Sequence, residues 1–469
     1  MHGRDQRLVR RSVVDAPAAE LFAWHDRPGA LRRLTPPWER VRVEQQASTL
    51  EPGSRVVFRA GIGPLPDRFG IRWVAEHVEY DPPRSFRDVQ RSGPFPRWDH
   101  THRVEDMGGD RSAIIDEVTY RLPLGRLGER IAGPAVRSRL DRMFDYRHRQ
   151  TVADVATHAA ARRKGAPLMK VAVTGASGLI GTALTSFLTT GGHEVLRLVR
   201  RPPRGPGEVQ WDPAGGTIDA AALSGVDAVV HLAGEPIASS RWTGAQKRRI
   251  LTSRTAGTGL VAETLARLDD GPRILVCASG THYYGDRGDA ELTEDSPPGD
   301  GFLPEVVSAW EAAADPAREA GVRVAHLRTG IVLSAAGGAL PKLLPLFRLG
   351  LGGRFGSGRQ WWSWAGLDDV VGAYHHALTS AGLSGPVNVT APAPARNAEL
   401  TAVLARVVSR PALLPVPAFG PKLLLGELAD SLLFDSMRVL PERLAADGYT
   451  FRHPTLEGAL RHALGRPAA

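Results

Sequence analysis

Cysteine is almost missing from this chain: Cys277 stands alone among 469 residues. No internal disulfide is possible, and a single thiol inside an apolar strand reads as buried and inert. No uninterrupted apolar run reaches the ~20 residues that a membrane-spanning helix needs. The opening stretch MHGRDQRLVRRS is basic, with no apolar segment behind it, and so lacks the pattern of a signal peptide. These absences predict a cytoplasmic protein with no membrane span. Lysine is scarce as well, with five among 59 basic residues, which looks like a trait of genome composition. The net charge of +9 is uneven: residues 1–168 hold 30 Lys+Arg against 22 Asp+Glu, and the remainder 29 against 28. The arginines are scattered along presumed strands and helices. No basic face with aromatic platforms emerges, which argues against nucleic acid as a partner.

What is present begins with Lys170–Gly181, KVAVTGASGLIG. A short apolar strand runs into Gly175, Ser177, Gly178, Leu179, Ile180 and Gly181, and an apolar-periodic helix follows. Such a turn lets backbone N–H groups approach a pyrophosphate and aims a helix N-terminus at its charge. The spacing is G-x-x-G-x-x-G, not the commonest dinucleotide fingerprint. Further short apolar strands follow at HEVLRLVRR, DAVVHL, RILVC and VRVAHL, alternating with helix-length segments such as 245–268. That alternation predicts an α/β doubly wound parallel sheet of the Rossmann type, with ligands beyond the carboxyl ends of its strands. The glycine turn, Arg200-Arg201, Leu232-Ala233-Gly234 and Ser279 then surround one crevice. The second strand ends on Arg200 and Arg201, where an acidic residue would hold the ribose 2′-OH of NAD. Guanidinium groups fit a 2′-phosphate, so NADP is the expected cofactor, with NAD possible.

From Met169 to about Leu464 the chain resembles the epimerase-like group of atypical extended short-chain dehydrogenase/reductases. The resemblance rests on TGASGLIG (174–181), HLAGEPI (231–237), YYGDRGD (283–289), GSGRQWWSW (356–364) and RVLPERL (438–444). Residues 1–160 differ. A helical stretch, AAELFAWH, precedes β-like runs SRVVFRAGI, FGIRWVAEHVEY, WDHTHRVED and SAIIDEVTYRL, then one long helix over 133–159. Through VDAPAAELFAW and GPFPRWDHTHRVE this part is similar to the START/polyketide-cyclase-like (SRPBCC) superfamily. That likeness implies an α+β helix-grip fold around a cavity for an apolar ligand. The expected organisation is an N-terminal ligand-binding domain (1–160), a linker (161–168), the Rossmann domain (169–415) and a small C-terminal lobe (416–469). His100 and His102 alternate on one strand and face one side together. No further ligands are visible beside them, so no metal site is assigned. Trp98 and Phe144 read as core or cavity lining.

Short-chain dehydrogenases normally place Tyr and Lys four residues apart on a helix to move a proton beside the hydride. This chain has no Tyr-x-x-x-Lys. The corresponding helix is expected over 302–320, where those positions fall near Leu303 and Val307. The resemblance leaves Ser279 in place and puts Arg254 where the family commonly has Asn. Tyr283 and Tyr284, just after Ser279, are the substitute acids, with Arg287 or Arg254 as the cation near a phenol. Glu311 reads as structural. Lys342, Arg359, Trp361 and Trp362 are candidate substrate contacts, since stacked indoles and a guanidinium suit a planar or anionic molecule. Two functions remain: an NAD(P)-dependent oxidoreductase or epimerase-like enzyme acting on an unknown small molecule, and an NADP-binding sensor or scaffold without turnover.

Overall fold

The computed structural model describes residues 4–47, 49–61, 69–238 and 240–467, and Ile62 of the run SRVVFRAGI lies outside them. By internal packing the chain divides into two units. One holds the residues up to Ala166 with Ser186–Gly192 and Gly465–Pro467; the other holds Pro167–Thr185 and His193–Leu464.

The first unit contains β1 (Gln6–Val14), α1 (Ala18–Asp26), α2 (Ala30–Leu34), β2 (Val41–Gln45), β3 (Arg55–Ala60), β4 (Ile71–Asp81), β5 (Ser85–Ser92), β6 (Arg97–Gly108), β7 (Arg111–Arg121) and α3 (Gly125–Arg163). The strands form one antiparallel sheet in the order β1-β7-β6-β5-β4-β3-β2. Strand β6 shows why it pairs this way: Trp98, His100, His102 and Val104 are buried while Arg97, Arg103 and Glu105 are exposed. That period of two presents one face to the interior. Helix α3 is longer than expected, beginning at Gly125 rather than 133 and running through Pro134. A proline inside a helix removes one hydrogen bond and costs about 3 kcal/mol. Burial further along offsets that cost: Leu140 and Phe144 pack with Leu8, Trp98, Val118 and Tyr120 of the sheet.

The second unit carries β8 (Lys170–Thr174), the first part of α4 (Leu179–Thr190, of which residues 186–190 count with the first unit), β9 (Glu194–Val199), β10 (Glu208–Asp212), β11 (Thr217–Ile218), β12 (Ala228–His231), α5 (Gly244–Ala266) and β13 (Ile274–Gly280). After these come β14 (Glu291–Leu292), α6 (Phe302–Ala312), α7 (Asp315–Glu319), β15 (Arg323–Thr329), β16 (Ile331–Leu333), α8 (Leu340–Arg348), β17 (Trp361–Trp362), β18 (Trp364–Gly366), α9 (Leu367–Thr379), β19 (Gly385–Val389), β20 (Ala395–Arg396), α10 (Asn397–Val408) and β21 (Arg438–Val439). The large sheet runs β11-β10-β9-β8-β12-β13-β15-β19. Only its edge strand β11 pairs antiparallel among the described residues. This is the doubly wound Rossmann arrangement, and β8 and β12 are buried throughout their apolar runs. The helix expected over 302–320 is in fact two, α6 and α7, broken around Ala313-Ala314.

Candidate active site

Because β9, β8, β12 and β13 are adjacent and parallel, their carboxyl ends share one edge of the sheet. The glycine turn lies there between β8 and α4. Gly175 has φ +64°, and a Cβ on it would stand 2.8 Å from the Leu232 carbonyl carbon. A Cβ on Gly181 would stand 2.2 Å from the Gly175 oxygen. No side chain fits at either position, so the turn closes tightly against the end of β12 while Ser177 and Gly178 stay exposed. Thr174 ties the same two strands together. Its hydroxyl oxygen accepts from the N–H groups of Leu232 (3.0 Å) and Ala233 (3.2 Å), and lies 2.9 Å from His231 Nδ1. Burial pushes the His231 imidazole down to about 4. The ring is therefore neutral. Leu232-Ala233-Gly234 is thus held beside the turn. This tight, N–H-rich cradle fits a dinucleotide pyrophosphate.

The two arginines after β9 separate in role. Arg201 is committed to Glu208 of β10 through two contacts of 2.8 and 2.7 Å, and the Arg204 N–H also reaches that carboxylate. The Arg201 guanidinium, first of all by its hydrogen bond, holds the Glu208 carboxyl down near 2. Arg200 is exposed and makes no ion pair among the described residues. Of the pair, Arg200 is the more exposed.

The chemistry-bearing residues after β13 form a network that their spacing does not show. Ser279 belongs to β13 itself, and its hydroxyl donates to Glu311 Oε1 at 2.6 Å. Glu311, on α6, receives Arg328 from the end of β15 in a fork of 2.8 and 2.7 Å. Burial works against the Arg328 cation, but Glu311 outweighs it and raises the guanidinium above its ordinary value. Arg328 also lies over the Tyr283 ring, 3.4 Å from its centroid, and donates to the Tyr284 hydroxyl at 3.1 Å. The Tyr284 hydroxyl in turn donates to Asn388 Oδ1 at 2.7 Å. Tyr284 is fully buried, and burial pushes its phenol up to about 12. It is a core tyrosine with both hydrogen-bonding functions spent, whereas Tyr283 is half-buried.

Several expected roles change accordingly. Arg287 is not the cation beside the phenols: it donates to the carbonyls of Tyr284, Pro297 and Pro298 and staples its own loop. Arg254 donates to the carbonyls of Glu235 and Ile250 and lies over Trp310, and burial lowers it to about 10. It remains a cation beside Gly234 and does not reach the phenols through any described contact. Leu303 and Val307 are buried apolar residues of α6. The residues that sequence reasoning missed are Arg328 and Asn388, and Glu311 as a hub. The visible signal was an arginine ending an otherwise apolar strand, VAHLRT.

The tryptophan cluster also divides. Trp364 is fully buried and Trp362 nearly so, both in the core that includes Leu340, Phe347 and Leu404. Trp362 therefore packs the lobe and is no substrate platform. Trp361 is half-buried between the guanidinium groups of Arg396 and Arg438, at 4.4 and 4.9 Å, and donates to Asp289. Arg359 and Lys342 are exposed, the latter on α8. The RVLPERL segment is a docking strand: β21 pairs with β14, the Val439 N–H donates to Ser363 Oγ at 2.8 Å, and Leu440 O accepts from Asn388 Nδ2 at 2.9 Å. Through Asn388 the small lobe reaches Tyr284.

In the first unit a cavity of about 660 Å³ is lined by apolar side chains such as Val56, Phe58, Trp73 and Trp98. His25, His77, Asp88, His100 and His102 line it as well, the four histidines buried. No described helix in either unit is long and apolar enough to cross a membrane.

Comparison with known proteins agrees with this division. Residues 171–390 match the NAD dependent epimerase/dehydratase family, 14–145 match polyketide cyclase / dehydrase and lipid transport, and 416–463 match a domain of unknown function, DUF1731. The chain is 45% identical over 297 residues to epimerase family protein Mb2239 of Mycobacterium bovis, covering 63% of this chain and 98% of the relative. It is 38% identical to human epimerase family protein SDR39U1, covering 62% and 99%. Among solved structures, a nucleoside-diphosphate sugar epimerase from Corynebacterium glutamicum superposes with a TM-score of 0.80 at 36% identity, over 98% of this chain and 90% of that one. Human SDR39U1 with NADPH superposes with a TM-score of 0.58 at 37% identity, over 63% and 99%.

Proposed function

Since the chain belongs to the epimerase family, we propose that its second unit is an NADPH-dependent oxidoreductase or epimerase whose proton passes through Tyr283. The observation that carries this is Arg328, stacked 3.4 Å from the Tyr283 ring and paired with Glu311. That cation–π contact fixes the orientation of the Tyr283 ring, the positioning role that Lys plays for Tyr in the usual pair. A bound nicotinamide supplies the hydride. The turn Gly175–Gly181 and the α4 N-terminus hold the pyrophosphate, Arg200 pairs with the 2′-phosphate, and Leu232–Gly234 flank the dinucleotide. Ser279, whose only proton goes to Glu311, receives a substrate hydroxyl on its lone pairs and orients it toward Tyr283. Arg359 and Lys342 are the cations left to meet an anionic group of the substrate.

The test is calorimetric titration of the full chain with NADPH and NADH, followed by NADPH oxidation across a carbonyl panel with wild type and Tyr283→Phe. Binding with turnover lost in the variant supports the proposal. An epimerase returns the hydride to its substrate, so binding with neither NADPH oxidation nor epimerisation of a nucleotide sugar selects the second function, an NADPH sensor, which Leu303 and Val307 in place of Tyr and Lys favour. We also propose that residues 169–469 fold and bind cofactor alone. Aggregation of that fragment, relieved only by residues 1–160, would show one inseparable unit.

A further inference from the structure

In the first unit, strand register assembles a set of donors that the family chemistry of the second unit does not use. His100 and His102 share the inner face of β6, Asp88 of β5 lies opposite His100, and Asp116 of β7 lies opposite His102. Asp88 Oδ2 is 3.3 Å from His100 Nδ1 and 3.9 Å from His102 Nε2. The three donor atoms lie within 4.8 Å of one another. Tetrahedral coordination with bonds of about 2.0–2.2 Å places donors ~3.3–3.6 Å apart, so the 3.3 Å pair already fits and the 3.9 Å pair has to close by about half an ångström.

The opposite nitrogens of the two imidazoles both face a second carboxylate. His102 Nδ1 stands 2.6 Å from Asp116 Oδ1, and His100 Nε2 stands 3.5 Å from it. All three atoms are buried and none makes a hydrogen bond of good geometry. Asp116 is anchored from behind by His148 Nε2 at 3.1 Å, and His148 Nδ1 meets Ser12 Oγ at 2.9 Å. Imidazoles that ligate a metal characteristically turn their other nitrogen to a carboxylate, which sets tautomer and ring orientation. Here one carboxylate serves two rings. His77, opposite Asp88 on β4, also lines the cavity and keeps a buried nitrogen without a hydrogen bond.

We propose that Asp88, His100 and His102 bind a divalent transition metal of the zinc class, with one coordination position open to the apolar cavity. Two histidines and one carboxylate leave the fourth position of a tetrahedral ion for an exogenous ligand. The cavity is of ligand size, its walls are apolar, and Arg147 lines it as well. The matching ligand is an apolar carboxylic acid, its tail among the aromatic walls and its head on the metal and Arg147.

The full chain, stripped by a chelator, is titrated with Zn²⁺ by calorimetry and with Co²⁺ by visible absorption. Wild type binds one equivalent with the intense visible bands of low-coordinate cobalt. The double variant His100→Gln plus His102→Gln, and Asp88→Asn, lose affinity at least 100-fold, while melting curves show that both still fold. Asp116→Asn, which touches no metal, weakens binding about 10–100-fold, as loss of such an outer partner does. His462→Gln, in the other unit, leaves the site unchanged. Adding decanoate shifts the cobalt bands of wild type. Wild type that retains no Zn²⁺, or variants that bind as wild type does, would overturn the metal site. Cobalt bands indifferent to decanoate would overturn the open position.

Discussion

In the antiparallel sheet, Asp88, His100, His102 and Asp116 sit in mid-strand and meet because four residues on three strands are in register. In the parallel sheet, Ser279, Glu311 and Arg328 meet where strands end and a helix passes over them. Both groups are largely buried and set carboxylates against basic side chains, yet their tolerance to change differs. A mid-strand cluster on an antiparallel sheet depends on register, and a slip by one residue turns every donor to the outer face. A cluster at strand ends depends on the angle at which a helix crosses, and each member stays at its edge whatever its neighbours do. The first geometry suits a fixed ligand site, the second a site that must admit substrate from the open edge.

Six substitutions probe the parallel-sheet side of that contrast, the largest expected effect first and the smallest last. Tyr283→Phe should lower kcat by about 10²–10⁴-fold, the usual worth of a positioned acid–base group, with cofactor affinity unchanged. Tyr284→Phe should leave kcat nearly intact and cost about 1–3 kcal/mol of stability, because it strands Asn388 Oδ1 in the core. Steady-state kinetics beside urea unfolding separates the two, and equal kinetic losses would refute the division between them. Arg328→Leu strands the partly buried Glu311 charge and should destabilise the second unit by about 3–5 kcal/mol, read from the same urea curves. A change under 1 kcal/mol would mean that the strand-end cluster is solvated.

Arg200→Ala should weaken NADPH by about 1.5–3 kcal/mol and leave NADH as it is, measured by calorimetry. Arg201→Ala should change NADPH less, since Glu208 already holds that guanidinium. The reverse order would exchange their roles. The smallest effect concerns Asp369 of α9, which accepts the N–H groups of Arg452 and His453. Burial raises its carboxyl to about 6 despite those bonds. A carboxyl that binds its proton more tightly folded than unfolded stabilises most at low pH, and that contribution is lost as pH rises toward 6. Melting temperatures of wild type and Asp369→Asn between pH 4 and 7 should therefore diverge in slope in that window. Parallel curves would contradict the shift.

The strand–turn–helix around Gly175, the parallel order, the two-part organisation and the missing Tyr-x-x-x-Lys are all legible in the sequence. They rest on local causes: apolar runs of strand length, glycines where no Cβ fits, and residue types absent from the whole chain. Helix α3 shows the limit of local rules, because burial of Leu140 and Phe144 carried a helix through Pro134. What only the tertiary structure decided is which charged residues meet. Glu311 and Arg328 are 17 positions apart, and Asp88 and Asp116 flank their histidines from separate strands. Nothing in the local sequence marks those pairings, because a buried charge is tolerated only where packing brings its partner, and packing is a property of the whole fold.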